Sequence, residues 1–216
     1  MRVKQKRGLM PTDVVGVLLA GGLSRRMGGG DKCLRQLGGR TILSRVVACA
    51  VGQVDALALN ANGDPARFKD YDLPVIPDVI DGYAGPLAGV LSGLDWAARE
   101  WPDCHWVASF PTDAPFAPDD LVARLMAAVS DQGADMVCAS SNGRRHPVIG
   151  LWPVALRGAL RKAMVEDGVR KVDAWTGAYK LACVNYPVAP FDPFFNTNRP
   201  DDLEAAEAIL AALGSG

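Results

Sequence analysis

The sequence predicts an α/β fold, a single-domain three-layer α/β/α sandwich around a mostly parallel sheet, and three observations carry that expectation. Val14 to Leu19 is an apolar run rich in β-branched residues and without polar alternation, the pattern of a strand buried on both faces. Strand-like and helix-like segments then alternate along the chain. Gly21-Gly22, Asn60, Asp78 and Asp113 each follow a strand-like run, and in an open parallel sheet ligands gather beyond the carboxyl ends of the strands. Such a sheet brings all of these residues to one rim.

The elements follow in order. After the first strand comes a glycine-rich loop, and Thr41 to Val51 then has helical spacing of Ile42, Val46, Val47 and Ala50. Ala56 to Leu59 reads as a short strand opening onto the polar turn Asn60-Ala61-Asn62-Gly63, and Val75-Ile76 leads into Pro77-Asp78. Pro86 to Ala98 is a helix with proline in its first turn, where the missing N–H costs nothing. Strands are expected at Trp106 to Phe110, Met136 to Ala139, Val148 to Trp152 and Leu181 to Asn185. Helices are expected at Leu121 to Val129, Ala155 to Val165 and Pro200 to Leu213. The order amounts to a Rossmann-like sheet.

At 216 residues and 49% hydrophobic composition the chain is long enough to bury one full core, which sets the expected domain at residues 14–213. Residues 1–13, with the cationic start MRVKQKR, read as a flexible extension. A net charge of −1 argues against a nucleic-acid platform. With neither a bilayer-length apolar run nor a signal-peptide stretch, a cytoplasmic location without membrane contact is expected. The five cysteines, Cys33, Cys49, Cys104, Cys138 and Cys183, are scattered and read as reduced, mostly buried thiols. His105 stands in an apolar stretch and reads as a core or near-core residue.

The chemistry concentrates in the first loop. Ala20, Gly21 and Gly22 carry little or no side chain, so the backbone can approach a ligand and turn its N–H groups onto phosphate oxygens. Arg25, Arg26 and Lys32 supply positive charge, and Gly28 to Gly30 keep the loop pliable. The loop is neither G-x-x-x-x-G-K-[ST] nor G-x-G-x-x-G, so the two commonest phosphate signatures are excluded. Asp113, in Phe110-Pro111-Thr112-Asp113-Ala114-Pro115, is a carboxylate at a strand end in a turn stiffened by prolines. That placement suits Mg²⁺, which takes one or two protein oxygens and completes its shell with water and phosphate.

Leu19-Ala20-Gly21-Gly22-Leu23-Ser24-Arg25-Arg26-Met27-Gly28, followed by Asp31-Lys32, resembles the LAGGxSxRMGGxDK loop of the molybdenum cofactor guanylyltransferases within the nucleotidyltransferase superfamily. One surplus glycine precedes Asp31. Pro111 to Pro115 resembles that family's P-x-D-x-P, and Asp78 followed by Gly85-Pro86-Leu87-Ala88-Gly89 resembles its aspartate and G-P-L-x-G. The resemblance implies nucleotide contacts at Leu19, Ala20, Gly21, Gly22, Lys32, Asn60, Asp78 and Asp113, with Asn62 as an alternative to Asn60. It implies Mg²⁺ on Asp113, and catalytic roles for Arg25, Lys32 and Asp113. Arg144-Arg145-His146-Pro147 resembles a turn before an antiparallel strand, and Asn196-Thr197-Asn198-Arg199-Pro200 the segment before the last helix, where Asn198 reads as the helix N-cap. Arg144, Arg145 and Lys171 are candidates for an anionic pterin.

The reaction implied is transfer of GMP from GTP to the terminal phosphate of molybdopterin, with release of pyrophosphate. Other proteins of molybdenum cofactor biosynthesis and apo-molybdoenzymes are the implied partners. A molybdopterin cytidylyltransferase, a sugar-1-phosphate nucleotidyltransferase and a non-catalytic GTP-binding module are the alternatives.

Overall fold

Val14–Leu19 forms the strand its apolar run predicts (β1), and it lies in the middle of the sheet. A computed structural model describes residues 13–20, 31–82 and 85–213. Residues 1–12 lie outside the described residues, as do Gly21, Gly22, Arg25 and the rest of the loop up to Gly30.

Beyond β1 the chain forms a small hairpin, Gln36–Leu37 (β2) with Arg40–Thr41 (β3), which leads into helix Ile42–Ala50 (α1). Thr41 caps that helix by accepting from the Ser44 N–H at 3.0 Å. Strands Leu57–Asn60 (β4) and Val75–Ile76 (β5) follow, then helix Pro86–Glu100 (α2), strand Trp106–Pro111 (β6) and helix Leu121–Gln132 (α3). The second half holds strands Met136–Ser141 (β7) and Arg144–Pro153 (β8), helices Arg157–Val165 (α4) and Val172–Thr176 (α5), strand Leu181–Tyr186 (β9) and helix Pro200–Leu213 (α6).

Seven strands make one sheet in the order β5-β4-β1-β6-β8-β7-β9. All neighbours pair in parallel except β8, which runs antiparallel to both β6 and β7. One face packs on α1 and α3 through Leu43, Val46, Leu121 and Leu125, and the other on α2, α4 and α5 through Leu87, Leu91, Leu160 and Trp175. The fold is therefore the three-layer α/β/α sandwich with one antiparallel strand. Helix α6 closes the β2–β3 hairpin by burying Ala206 with Leu37 and Ile42. Among the described residues no helix is long and apolar enough to cross a membrane.

Three local expectations change. Strand β8 starts at Arg144, so Arg144 to Pro147 belong to the strand and the turn is Asn142-Gly143, with φ of +48° and +72°. Asn-Gly in that conformation is the two-residue hairpin turn whose twist matches the strands it joins. Pro147 cannot donate to the ladder, and the register of β7 on β8 shifts where it enters, from Ala139 opposite His146 to Cys138 opposite Gly150. His105 is exposed rather than core: it precedes β6, and its Nδ1 lies 2.6 Å from Asp13 Oδ2. Of the cysteines, Cys33 and Cys138 are buried, Cys49 and Cys104 half-buried, and Cys183 exposed on the edge strand.

Helix α2 lies close on β1 because glycine faces the strand at two positions one turn apart. A Cβ on Gly93 would stand 2.9 Å from Val17 Cγ1, and one on Gly89 would stand 2.4 Å from Asn60 Oδ1 and 2.7 Å from Leu19 Cδ2. Replacing Gly93 by leucine should force α2 off the sheet and cost about 1–3 kcal/mol, the usual penalty of overpacking. Denaturant unfolding measures it, and an unchanged midpoint would mean that the helix yields freely.

Candidate active site

The carboxyl ends of β4, β1 and β6 are level, because Leu19 pairs with Asn60 on one side and with Pro111 on the other. Parallel pairing therefore sets Asn60, Leu19-Ala20 and the Pro111-Thr112-Asp113 turn side by side. They open onto a cavity of about 330 Å³, also lined by Asp31, Lys32, Asp78, Gly85, Pro86, Gly89, Asn196 and Asn198. A volume of that order belongs to small-molecule sites. Leu19, Ala20, Lys32, Asn60, Asp78 and Asp113, dispersed over nearly a hundred residues of sequence, all meet there.

On one wall Lys32 is the centre. Its Nζ stands 3.2 Å from Asp113 Oδ2 and donates to Asn198 Oδ1 at 2.6 Å. Asp113 itself is fixed from behind: the N–H and hydroxyl of buried Thr197 both donate to its carbonyl, at 2.9 and 3.2 Å. Asn198 therefore turns into the cavity mouth instead of capping α6. Asp202, three residues into that helix region, takes over the cap by accepting from the Asn198 and Arg199 N–H groups at 2.8 and 2.7 Å.

On the opposite wall Asp78 is gripped by two asparagines. Asn60 Nδ2 donates to Asp78 Oδ1 at 3.0 Å and to the Ile76 carbonyl at 3.2 Å. Asn62 donates to Asp78 Oδ2 at 2.8 Å, and its own Oδ1 accepts from the Asp78 N–H at 2.8 Å. The choice between Asn60 and Asn62 thus resolves into two different tasks: Asn60 is 2% exposed and lines the cavity, whereas exposed Asn62 holds Asp78 from outside. No local pattern marks Arg67, which pairs with Asp31 at 2.7 Å and donates to the Asn62 carbonyl, so that the end of the glycine loop is tied to the Asp78 clamp.

The Leu19 carbonyl and the Ala20 N–H are already engaged. The Leu19 carbonyl accepts from Thr112 N–H and Oγ1 at 3.3 and 3.1 Å, and the Ala20 N–H donates to the Asn60 carbonyl at 3.0 Å. Asp78 instead offers carboxylate oxygens to the cavity. The arrangement can receive an anion beside Lys32 and a group rich in N–H or O–H donors beside Asp78.

The chain matches the family model described as the MobA-like NTP transferase domain over residues 16–180. It is 58% identical to a molybdenum cofactor guanylyltransferase of Rhodopseudomonas palustris strain HaA2, over 89% of this chain and 90% of that protein. The chain belongs to the molybdenum cofactor guanylyltransferase family. A second guanylyltransferase of that name, from Bradyrhizobium sp. strain ORS 278, is 54% identical over 93% of this chain and 94% of its own. The fold is also that of a molybdopterin-guanine dinucleotide biosynthesis protein A from Archaeoglobus fulgidus, with a TM-score of 0.71 at 22% identity over 92% of this chain and 99% of that one. As a member of this family the chain is a nucleotidyltransferase enzyme of molybdenum cofactor biosynthesis.

Cys33 also lines the cavity, which raises the question of a thiol nucleophile. Burial pushes the Cys33 thiol up to about 11, and the nearby Asp31 carboxylate pushes in the same direction. At pH 8 only about one Cys33 in a thousand is thiolate. Iodoacetamide at that pH should label exposed Cys183 while leaving Cys33 intact in the folded chain, and raising the pH toward 11 should bring Cys33 labelling up. Peptide mass spectrometry reads both, and early labelling of Cys33 at pH 8 would make it an activated thiol after all.

Proposed function

We propose that this guanylyltransferase transfers GMP from GTP to the terminal phosphate of molybdopterin, releasing pyrophosphate and forming a guanine dinucleotide. One observation carries the reading: the oxygens of Asp113 and Asn198 converge on the Lys32 ammonium in a cavity whose other wall presents the clamped Asp78 carboxylate. The names of relatives at 54–58% identity support the same chemistry.

The donors present fit a Mg²⁺ ion. A carboxylate and an amide oxygen already gather around one cationic centre, and two protein oxygens with water and phosphate make up the shell this ion prefers. Asp113, with Asn198 beside it, is the pair that would hold it. Bound there, the ion would supply positive charge to phosphate oxygens.

The chain's own residues do the rest by placement. The nucleophile is a phosphate that is already anionic, so no side chain need remove a proton, and the task is to offset repulsion between two phosphates and align them. Lys32, aided in this proposal by Arg25 and the amides of Gly21 and Gly22, stabilises charge building on the departing pyrophosphate. Ala20 and Leu19 bound the cavity beside the nucleoside. Asp78, held by Asn60 and Asn62, accepts from the nucleoside: guanine presents N1–H and N2–H₂ side by side, and a carboxylate matches that pair as it matches neither adenine nor cytosine.

Incubating the chain with Mg²⁺, molybdopterin and GTP, ATP or CTP tests the reading, with pyrophosphate release and product mass as the readouts. GTP should be strongly preferred and yield the guanine dinucleotide, whereas equal use of CTP would replace the reading with cytidylyl transfer. Asp113→Asn should keep the fold and lower turnover by about a hundredfold or more, the scale of losing one strong electrostatic element. Lys32→Ala should lower kcat more than it raises the KM for GTP. Normal kinetics in either variant would move the reaction centre elsewhere.

A further inference from the structure

The Arg144-Arg145-His146-Pro147 segment has no part in the cavity, yet His146 is 9% exposed and polar. Its Nε2 lies 2.7 Å from Ser141 Oγ, and that hydroxyl donates to Asp192 Oδ2 at 3.1 Å. A serine has one proton to give, so the His146 ring donates from Nε2. The ring is neutral near pH 7, since burial lowers its pKa below the ordinary value of 6.5. Asp192 lies midway along the segment between β9 and α6. Its Oδ1 accepts from the Phe194 N–H at 2.9 Å and its carbonyl accepts from the Phe195 N–H at 3.1 Å. Phe194, 2% exposed, packs its ring on His146 at 4.9 Å and edge-on to Tyr186 at 5.1 Å. Phe191 meets Phe116, just beyond the Asp113 turn, at 5.5 Å. Three residues past Phe194, Thr197 supports the Asp113 carbonyl, and Asn198 accepts from Lys32.

We propose that His146, Ser141 and Asp192 are positioning residues of the transfer reaction: they pin the 191–198 segment to the β7–β8 hairpin, so that Thr197 sets Asp113 and Asn198 sets Lys32. The inference rests on the reaction proposed above. The three act at a distance from the nucleotide, through buried polar contacts that fix a rigid turn, as supporting hydrogen bonds orient the ligands of a site. The opposite wall, Asn60 and Asp78, belongs to β4 and the turn after β5 and is independent of this pin. Loss of the pin should therefore register on the rate and leave GTP binding nearly alone.

The test uses the full chain with Asp192→Ala, Asp192→Asn, Ser141→Ala and Asn198→Ala. Pyrophosphate release with GTP and molybdopterin gives kcat and KM, and hydrogen exchange of the peptide over residues 193–199 reads the segment directly. Asp192→Ala should speed exchange there, lower kcat by about tenfold and keep the GTP KM within about twofold. Asp192→Asn should recover most of kcat, because its amide oxygen still accepts from the Phe194 N–H while its NH2 donates to Ser141 Oγ, whose hydroxyl then donates to the other tautomer of His146. In an Asn198→Ala background the loss from Asp192→Ala should fall clearly below about tenfold, because the Asn198 route is already gone and only the Thr197 support of Asp113 remains to be lost. Unchanged exchange in Asp192→Ala would overturn the pin, and so would an unchanged kcat or a full loss in the Asn198→Ala background. Should Asp192→Ala fail to fold, Ser141→Ala, which removes one hydroxyl, carries the same expectations. A wild-type chain inactive toward GTP and molybdopterin would refute the reaction instead, with the exchange result still deciding the pin.

Discussion

Parallel pairing of β1 with both β4 and β6 is the constraint on which the cavity depends. Leu19 is the shared partner of Asn60 and Pro111, so three strands end at one level and their outgoing turns face the same space. A slip of one residue in β4 would turn the Asn60 side chain to the other face of the sheet and release Asp78. Glycines at 89 and 93 let α2 settle against β1 closely enough for its first turn to form part of the cavity wall. The reversal of β8 matters for a different reason. It ends the parallel run beside β6 and creates the hairpin on which the 191–198 segment rests.

Lys32 then draws residues 113 and 198 to one point. Its side chain and that of Asp113 are 18% and 29% exposed, and ion pairs that still touch water contribute about 0–1 kcal/mol. The pair is therefore a poor reason for the fold to be stable. The dependence runs the other way: the sheet and the Thr197 support hold a cation and a carboxylate together in readiness for a polyanionic ligand. A site in which electrostatic placement does the chemistry needs this kind of rigidity, because charges that must reorganise during the reaction lose much of their effect.

The sheet was legible in the sequence because its strands are short apolar runs whose exits are marked by polar turn residues. The same rule located Asn60, Asp78 and Asp113, and Lys32 stood out as a cation closing a glycine loop. Asn198 was misread for a physical reason: an asparagine two residues before a proline-initiated helix has the same local signature whether it caps or reaches outward. What decides is Asp202, which satisfies the helix start and frees Asn198. Arg67 and Asp192 act through contacts with residues 36 and 51 positions away, and no local pattern marks such pairings. The β8 hairpin was recoverable, since Asn142-Gly143 between apolar strands is a strong turn signal. His105 shows the limit of apolar context, for the strand it precedes is buried from Val107 onward while it stands at the strand entrance and meets Asp13.

The most direct test of the account is a crystal structure of the chain with guanosine α,β-methylene triphosphate and Mg²⁺. The account predicts guanine beside Asp78, the triphosphate over the Ala20 and Lys32 side of the cavity, and Lys32 Nζ transferred from Asp113 and Asn198 to a phosphate oxygen. A nucleotide bound elsewhere, with the Lys32–Asp113 contact intact, would contradict it.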